Sequence, residues 1–230
     1  MNGLTSNKKR PVGRPRADGK AHLDRKALLL TTAKLIAANG YAGTSIRMIA
    51  AELDVSTASI FNLYSTKDAL LNALIEFVAA PSFEFYGKLG KQEAPAAIAL
   101  YKSILEEAKA VLSVDRDYVA TFYLPELRKP EFAEAQQVRA RMVSHYAALI
   151  EQGMRESVFR QVDPDWTAEQ VFQLTETSIL AGKPANHAEA EARATATAEF
   201  CLLGLVDSRA SLREITDEAS QIDLCIEIDP

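Results

Sequence analysis

The sequence predicts an all-α fold: an N-terminal three-helix helix-turn-helix domain followed by a larger helical bundle, about nine helices in all. Three observations carry this reading. Apolar residues recur at three- and four-residue spacing along most of the chain, the mark of helices that bury one face. Cap and stop residues stand between these runs, at Asp24, Asn39-Gly40, Ser56 and Gly182-Lys183-Pro184. Period-two alternation occurs only near the end, at Ile222, Leu224, Ile226 and Ile228. The 230 residues are 48% hydrophobic and 25% charged, enough to build a real core.

Residues 1–22 have no apolar period and several Gly, Pro, Lys and Arg, so they read as a mobile basic arm. Asp24 caps a first helix with Leu28, Leu29, Thr32, Leu35 and Ile36 inward, and Asn39-Gly40 stops it. Thr44 or Ser45 caps a second helix carrying Ile46, Ile49, Ala50 and Leu53. Ser56 caps a third through Ile60 and Phe61, and Ser65 a fourth with Leu70, Leu71, Leu74 and Phe77 inward. Pro81 is expected to end or kink that helix. Further helices are expected at 94–112, 117–127, 131–157, 164–180 and 186–205. The domains are drawn at 1–22 (arm), 23–72 (helix-turn-helix), 73–209 (larger bundle) and 210–230 (acidic tail). The tail's IDLCIEID pattern suits an added edge strand or a segment draped on the surface, the second being favoured.

Charge is divided unevenly. Residues 1–72 hold 11 Lys/Arg against 5 Asp/Glu, a net +6, while the other 158 residues carry −11. A basic front on an acidic body suits a polyanion partner, which the body helps to orient. No run of ~18 apolar residues suggests a membrane span, and no apolar signal core follows the basic start. Cys201 and Cys225 make neither a disulfide framework nor a metal cluster. A cytoplasmic protein without metal or cofactor is expected. The three histidines, His22, His145 and His187, are scattered, and neither a Gly-rich phosphate loop nor G-x-S-x-G occurs. Enzyme chemistry is not expected.

The segment TSIRMIAAELDVSTASIFNLY holds two short helices about a tight turn. Such a unit can present its second helix to a DNA major groove. Ser56, Thr57 and Ser59 put short hydroxyls on the first turn, where backbone N–H groups favour phosphate, and Lys67 is placed for a second phosphate.

Residues 24 to 75 resemble the DNA-binding domain of the tetracycline-repressor (TetR) family of bacterial regulators. The resemblance rests on Gly40-Tyr41, Thr44-Ser45, Ile49-Ala50, Val55-Ser56, Ile60 through Tyr64, Lys67 and Leu70-Leu71. It implies a dimer that places each third helix in the major groove. Thr44 and Arg47 would then touch the DNA backbone; Thr57, Ala58 and Ser59 would face bases; Phe61, Asn62 and Lys67 would lie along phosphates. Asp54 stands where the family usually has Gly, a turn position favouring positive φ that Asp tolerates. Gly13-Arg14-Pro15-Arg16 resembles an AT-hook core, so Arg14 and Arg16 are expected to enter a minor groove or to add nonspecific attraction.

Of 17 aromatic residues, 13 fall between Phe77 and Phe172. Phe85, Tyr86, Tyr101, Phe122, Tyr123, Tyr146 and Phe172, with His145, are the candidate lining of a site for a small apolar or amphipathic ligand. Two late helices carry Val171, Thr175, Ile179, Ala192, Thr195, Ala196, Phe200 and Leu203, the candidate four-helix interface of a homodimer. The expected function is a ligand-responsive repressor on a palindromic operator. A regulator answering to a protein partner and an architectural DNA-binding protein remain open alternatives.

Overall fold

The computed structural model describes residues 23–113, 116–178, 182–206 and 209–228. The arm, with Arg14 and Arg16, lies outside the described residues, as does Ile179. Among the described residues there are α-helices and no strands, as expected.

The head is three helices and the start of a fourth: α1 (Arg25–Gly43), α2 (Ile46–Glu52), α3 (Thr57–Phe61) and α4 (Lys67–Gly90). Asp24 caps α1 by accepting from the Lys26 N–H. Gly40 adopts φ 72° and ψ 165° inside the assigned span, so the chain turns there and one short further turn follows. Ser45, rather than Thr44, caps α2. Thr66, not Ser65, caps α4 by accepting from the Ala69 N–H. Leu28, Leu29, Ile36, Ile49, Ile60, Leu70, Leu71 and Leu74 close the small core, each at 2% exposure or less. Removing one such side chain costs about 2–5 kcal/mol.

The body is α5 (Ala96–Ser113), α6 (Arg116–Ala120), α7 (Ala133–Arg155), α8 (Pro164–Thr177), α9 (His187–Leu203) and α10 (Arg209–Ala219). α5 is its axis and packs against α4, α7, α8, α9 and α10. Two expectations need correction. The helix expected at 117–127 is only α6, followed by 3-10 turns at Thr121–Tyr123, Pro125–Arg128 and Pro130–Phe132. Pro125 and Pro130 force extended backbone on Leu124 and Lys129, which breaks the helix. Pro81 neither ends nor divides α4, because Ala79, Ser82 and Phe85 around it are buried against the body; the bond forgone is the one to the Phe77 carbonyl. The line drawn after Asn72 crosses this continuous helix, which runs from head into body. The first part of the tail forms a further helix, α10, with Leu212 and Ala219 buried and Ile215 packed beside them.

Past α10 the chain drapes along the bundle. Ile222, Leu224 and Ile226 pack on Phe85, Tyr86, Leu89 and Ala99, and Glu227 reaches Lys88 at 3.9 Å. At the end of α7, a Cβ on Gly153 would lie 2.1 Å from the Phe159 ring, so only glycine admits this close approach.

Candidate functional site

The turn between α2 and α3 is set by Asp54, whose φ of 51° matches the positive-φ geometry anticipated there. The Val55 N–H reaches back to the Ala50 carbonyl at 2.9 Å, closing the corner. Ser56 caps α3 by accepting from the Ser59 N–H at 3.1 Å, and the two hydroxyls meet at 2.8 Å. Ile60 points into the core at 0% exposure. The opposite face is open: Ser56, Ala58, Phe61 and Asn62 are exposed, and Thr57 and Ser59 half-buried. Phe61 and Leu63 keep 48% and 44% of their surface in solvent. Arg47 is exposed on α2. Most of the residues expected at a groove thus keep surface open to solvent.

Thr44 does not join them. It is 2% exposed, and its hydroxyl donates to the Leu35 and Gly40 carbonyls at 3.0 and 2.9 Å. The hydroxyl is consumed in sealing the end of α1, which withdraws it from a phosphate. Lys67 is also partly engaged. Its ammonium donates to the Tyr41 and Thr44 carbonyls at 2.8 and 3.0 Å and stands 4.0 Å from the centroid of the Tyr41 ring. One N–H of the three remains for another acceptor. The Tyr41 hydroxyl donates to Asp68, and burial together with that neighbouring carboxylate raises its pKa. Arg25 donates to the Tyr64 hydroxyl at 2.7 Å, fixing the segment after α3.

In the body, four expected residues come together. Phe85, Tyr86, His145 and Tyr146 form one cluster, with Tyr86 stacked on His145 at 3.7 Å between ring centroids. Glu107, Ser103 and Glu176, which sequence reasoning missed, bond to Tyr86, to His145 and to Tyr123, a fifth expected residue. The Tyr86 hydroxyl donates to Glu107 at 2.6 Å, Ser103 shares a hydrogen bond with His145 Nε2 at 2.9 Å, and Tyr123 donates to Glu176 at 3.3 Å. Glu107 and Glu176 are 3% and 7% exposed. Desolvation raises both carboxyls; Glu176 reaches about 8, pushed further by the charge of Glu107. Desolvation lowers His145 to about 4. Two carboxylates inside helical periods look like solvated positions in a sequence, so no signal there pointed to them.

The other expected lining residues lie elsewhere. Tyr101 is buried, its pKa raised to about 12 mainly by desolvation and further by the charge of Glu199. Phe172 is buried beneath the guanidinium of Arg139, and Phe122 packs on the main core. A groove of about 720 Å³ runs between α9 and α10, lined by Glu199, Leu203, Leu212, Arg213 and Asp217, apart from the aromatic cluster.

The late helices divide the interface expectation. Val171 and Thr175 are 3% and 1% exposed and belong to the core, so they cannot meet a second chain. On α9 the expected residues form one outward stripe: Ala192, Ala196, Phe200 and Leu203 are exposed and Thr195 half-buried. Phe200 leaves 68% of its surface in solvent, and Trp166 and Leu174 on α8 leave 62% and 43%.

Among the described residues no group of three or more His, Cys, Asp or Glu is arranged to hold a metal ion, and no helix is long and apolar enough to cross a membrane. A helix-turn-helix with an open third-helix face, set on an α-helical body, defines a DNA-binding transcriptional regulator. Residues 28–74 match the family described as bacterial regulatory proteins, tetR family. No curated protein matches the sequence.

Solved structures share the fold. AmtR of Mycobacterium smegmatis is 25% identical, over 92% of this chain and 100% of that one, with a TM-score of 0.64. AibR, solved with isovaleryl coenzyme A and operator DNA, is 21% identical over 76% and 96%, with a TM-score of 0.67. A transcriptional regulator from Saccharomonospora viridis, in complex with choline, is 22% identical over 80% and 98%, with a TM-score of 0.61.

Proposed function

We propose that the chain acts as a homodimeric repressor that leaves a palindromic operator when a small apolar or amphipathic molecule enters its bundle. In this reading residues 23–72 grip DNA, 73–209 bind ligand and pair two chains, and 210–230 strap the body. Thr57, Ala58 and Ser59 face bases, while Arg47, Ser56, Phe61, Asn62 and Lys67 lie along phosphates, helped by Arg14 and Arg16 of the arm. The observation that carries the dimer is the α9 stripe, because a ring as open as Phe200 on a row of small residues suits helix-on-helix packing. Two heads related by a two-fold axis must present their third helices ~34–36 Å apart to enter successive major grooves.

α4 supplies the link between ligand and DNA. It begins at Lys67 beside the α1 end and carries Tyr86 in the aromatic cluster, a separation of about 28 Å along one helix. A ligand that binds the DNA-free state more tightly, and moves Tyr86, moves the head with it. The AibR structure, which holds both an acyl thioester and operator DNA, supports a ligand acting on such a body.

Light scattering on the eluting protein tests the pairing. The full chain is expected at twice the 25.2 kDa chain mass, and Phe200→Asp at the chain mass with weakened binding to an inverted repeat. A wild-type monomer that still binds the repeat fully would contradict the proposal.

A further inference from the structure

The last described segment of the chain is held differently from the helices it touches. Just past α10, the Ile222 N–H still donates to the Ala219 carbonyl at 3.1 Å. Residues 223–228 then form neither helix nor strand. Their one backbone bond among the described residues is local, from the Leu224 N–H to the Ile222 carbonyl at 3.0 Å. Side chains alone attach the segment to the bundle. Ile222, Leu224 and Ile226 are half-buried on it, while Asp223, Cys225 and Glu227 are exposed. That is the period of an extended chain lying on a surface. The ion pair from Glu227 to Lys88 is long, at 3.9 Å, and Lys88 already holds Glu84 at 2.9 Å. An exposed pair of this kind adds little. Few buried apolar contacts and no shared backbone bonds mark a part of a fold that opens well before the rest.

Beneath the segment lie Phe85, Tyr86 and Leu89 of α4 and Ala99 of α5, each at 9% exposure or less. It thus spans two helices at the distal end of α4. The same Tyr86 bonds to Glu107 of α5 through its hydroxyl and meets His145 and Tyr146 of α7 through its ring. A shift of Tyr86 therefore disturbs the bed on which the segment lies, and loss of the segment uncovers Tyr86. Toward the head α4 passes Pro81, where the bond to the Phe77 carbonyl is forgone. The distal part of this helix leans on its neighbours more than an unbroken ladder would require.

We infer that residues 222–228 are a releasable brace that pins the distal end of α4 to α5, with the attached form favouring DNA. Attached, the brace narrows the settings open to α4 and to the head at its other end. Released, it uncovers Phe85, Tyr86 and Leu89 and widens those settings. A pair of heads must then be ordered anew to fit two grooves, and affinity for DNA falls. The inference rests on the reading that α4 carries a signal from bundle to head, and it assigns the tail to the control of that helix. A molecule that displaces Tyr86 undercuts the brace, so both act on one two-state element.

The full chain supplies its own reporter. Cys225 is exposed on the brace, whereas Cys201 is buried and its thiol is pushed up to about 12 by desolvation. A maleimide dye at about pH 7 therefore labels Cys225. Leu224→Asn with Ile226→Asn removes the apolar contacts without changing the charge, and Leu224→Met with Ile226→Met keeps them. The asparagine variant is expected to lower the anisotropy of the dye. Exchange of amides 83–90 with deuterium is expected to speed up about tenfold, with the amides of α9 unchanged. On the duplex that the wild type selects from a randomised pool, its binding is expected to weaken about fivefold at an unchanged salt slope, because no phosphate contact is lost. The methionine variant is expected to match the wild type throughout. Unchanged α4 exchange or unchanged affinity in the asparagine variant would overturn the inference. So would a methionine variant impaired as much, or exchange that rises across the whole bundle, the mark of a merely structural segment. Wild-type binding to the duplex would still leave the DNA reading standing in those cases. Faster α4 exchange in a chain that selects no duplex would instead sink the DNA reading and keep the brace on α4.

Discussion

The Tyr41 and Phe132 rings meet edge to face at 5.6 Å between centroids and 86° between planes, joining head to body. Tyr41 ends the first helix of the head, and Phe132, 1% exposed, precedes the long α7. Lys67 lies over the Tyr41 ring, so one ring meets both the entrance of α4 and the start of α7. Phe132→Ala is expected to destabilise the chain by about 3–5 kcal/mol and to separate the unfolding of head and body. Scanning calorimetry would show two transitions where the wild type shows one.

Lys67 and Arg47 should part company in a mutant series. Lys67→Met removes two hydrogen bonds to carbonyls at the α1 end, so both head stability and affinity for every DNA sequence are expected to fall. Arg47→Ala, at an exposed position, is expected to leave the melting temperature unchanged and to reduce the salt slope of DNA binding by about one. Thr57→Ala is expected to alter base preference instead. Anisotropy titrations at several salt concentrations distinguish the three.

Stability should depend on pH with a definite sign. Glu176 is raised in the folded state, so the folded chain holds a proton that the unfolded chain has lost, and stability falls as pH rises toward about 8. His145 is lowered to about 4, so its contribution is lost only as pH falls below the ordinary histidine range. Between about pH 6.5 and about pH 8 the acid alone acts of these two, at up to about 1.4 kcal/mol per pH unit. Glu107 works in the same direction. Melting temperatures are expected to decline over that window and to decline less in Glu176→Gln.

Substitution of Gly153 by Ala is expected to destabilise by about 1–3 kcal/mol through the clash with Phe159. A Phe159→Leu change in the same chain should recover part of the loss, because it withdraws the ring. Urea denaturation of the two variants provides the comparison.

The head was legible because its signals are local. Caps at Asp24 and Ser56, the stop at Gly40 and the φ of 51° at Asp54 depend on residues a few positions apart. What failed depends on partners far along the chain. Thr44 reads as a polar helix-start residue, and only the approach of the Leu35 carbonyl shows its hydroxyl to be spent. Val171 and Thr175 lie on an apolar stripe that serves a core as well as an interface, and burial decides between them. Pro81 stops an isolated helix, yet packing on both sides carries α4 past it. The Leu212, Ile215 and Ala219 spacing did announce α10, but the acidic residues around it hid the signal. Glu107 and Glu176 gave no warning at all, since a charge is ordinary in a helix until the fold buries it.

The central claim is that two copies of this chain read DNA as a symmetric pair through the exposed face of α3. Selection of duplexes from a randomised pool by the purified full chain, followed by sequencing, tests it most directly. Enrichment of an inverted repeat whose half-site centres lie about one helical turn apart, lost in Phe200→Asp and altered in base preference by Thr57→Ala, is the expected result. A pool that stays random, or that enriches a single half-site equally well with both the wild type and Phe200→Asp, would contradict the claim.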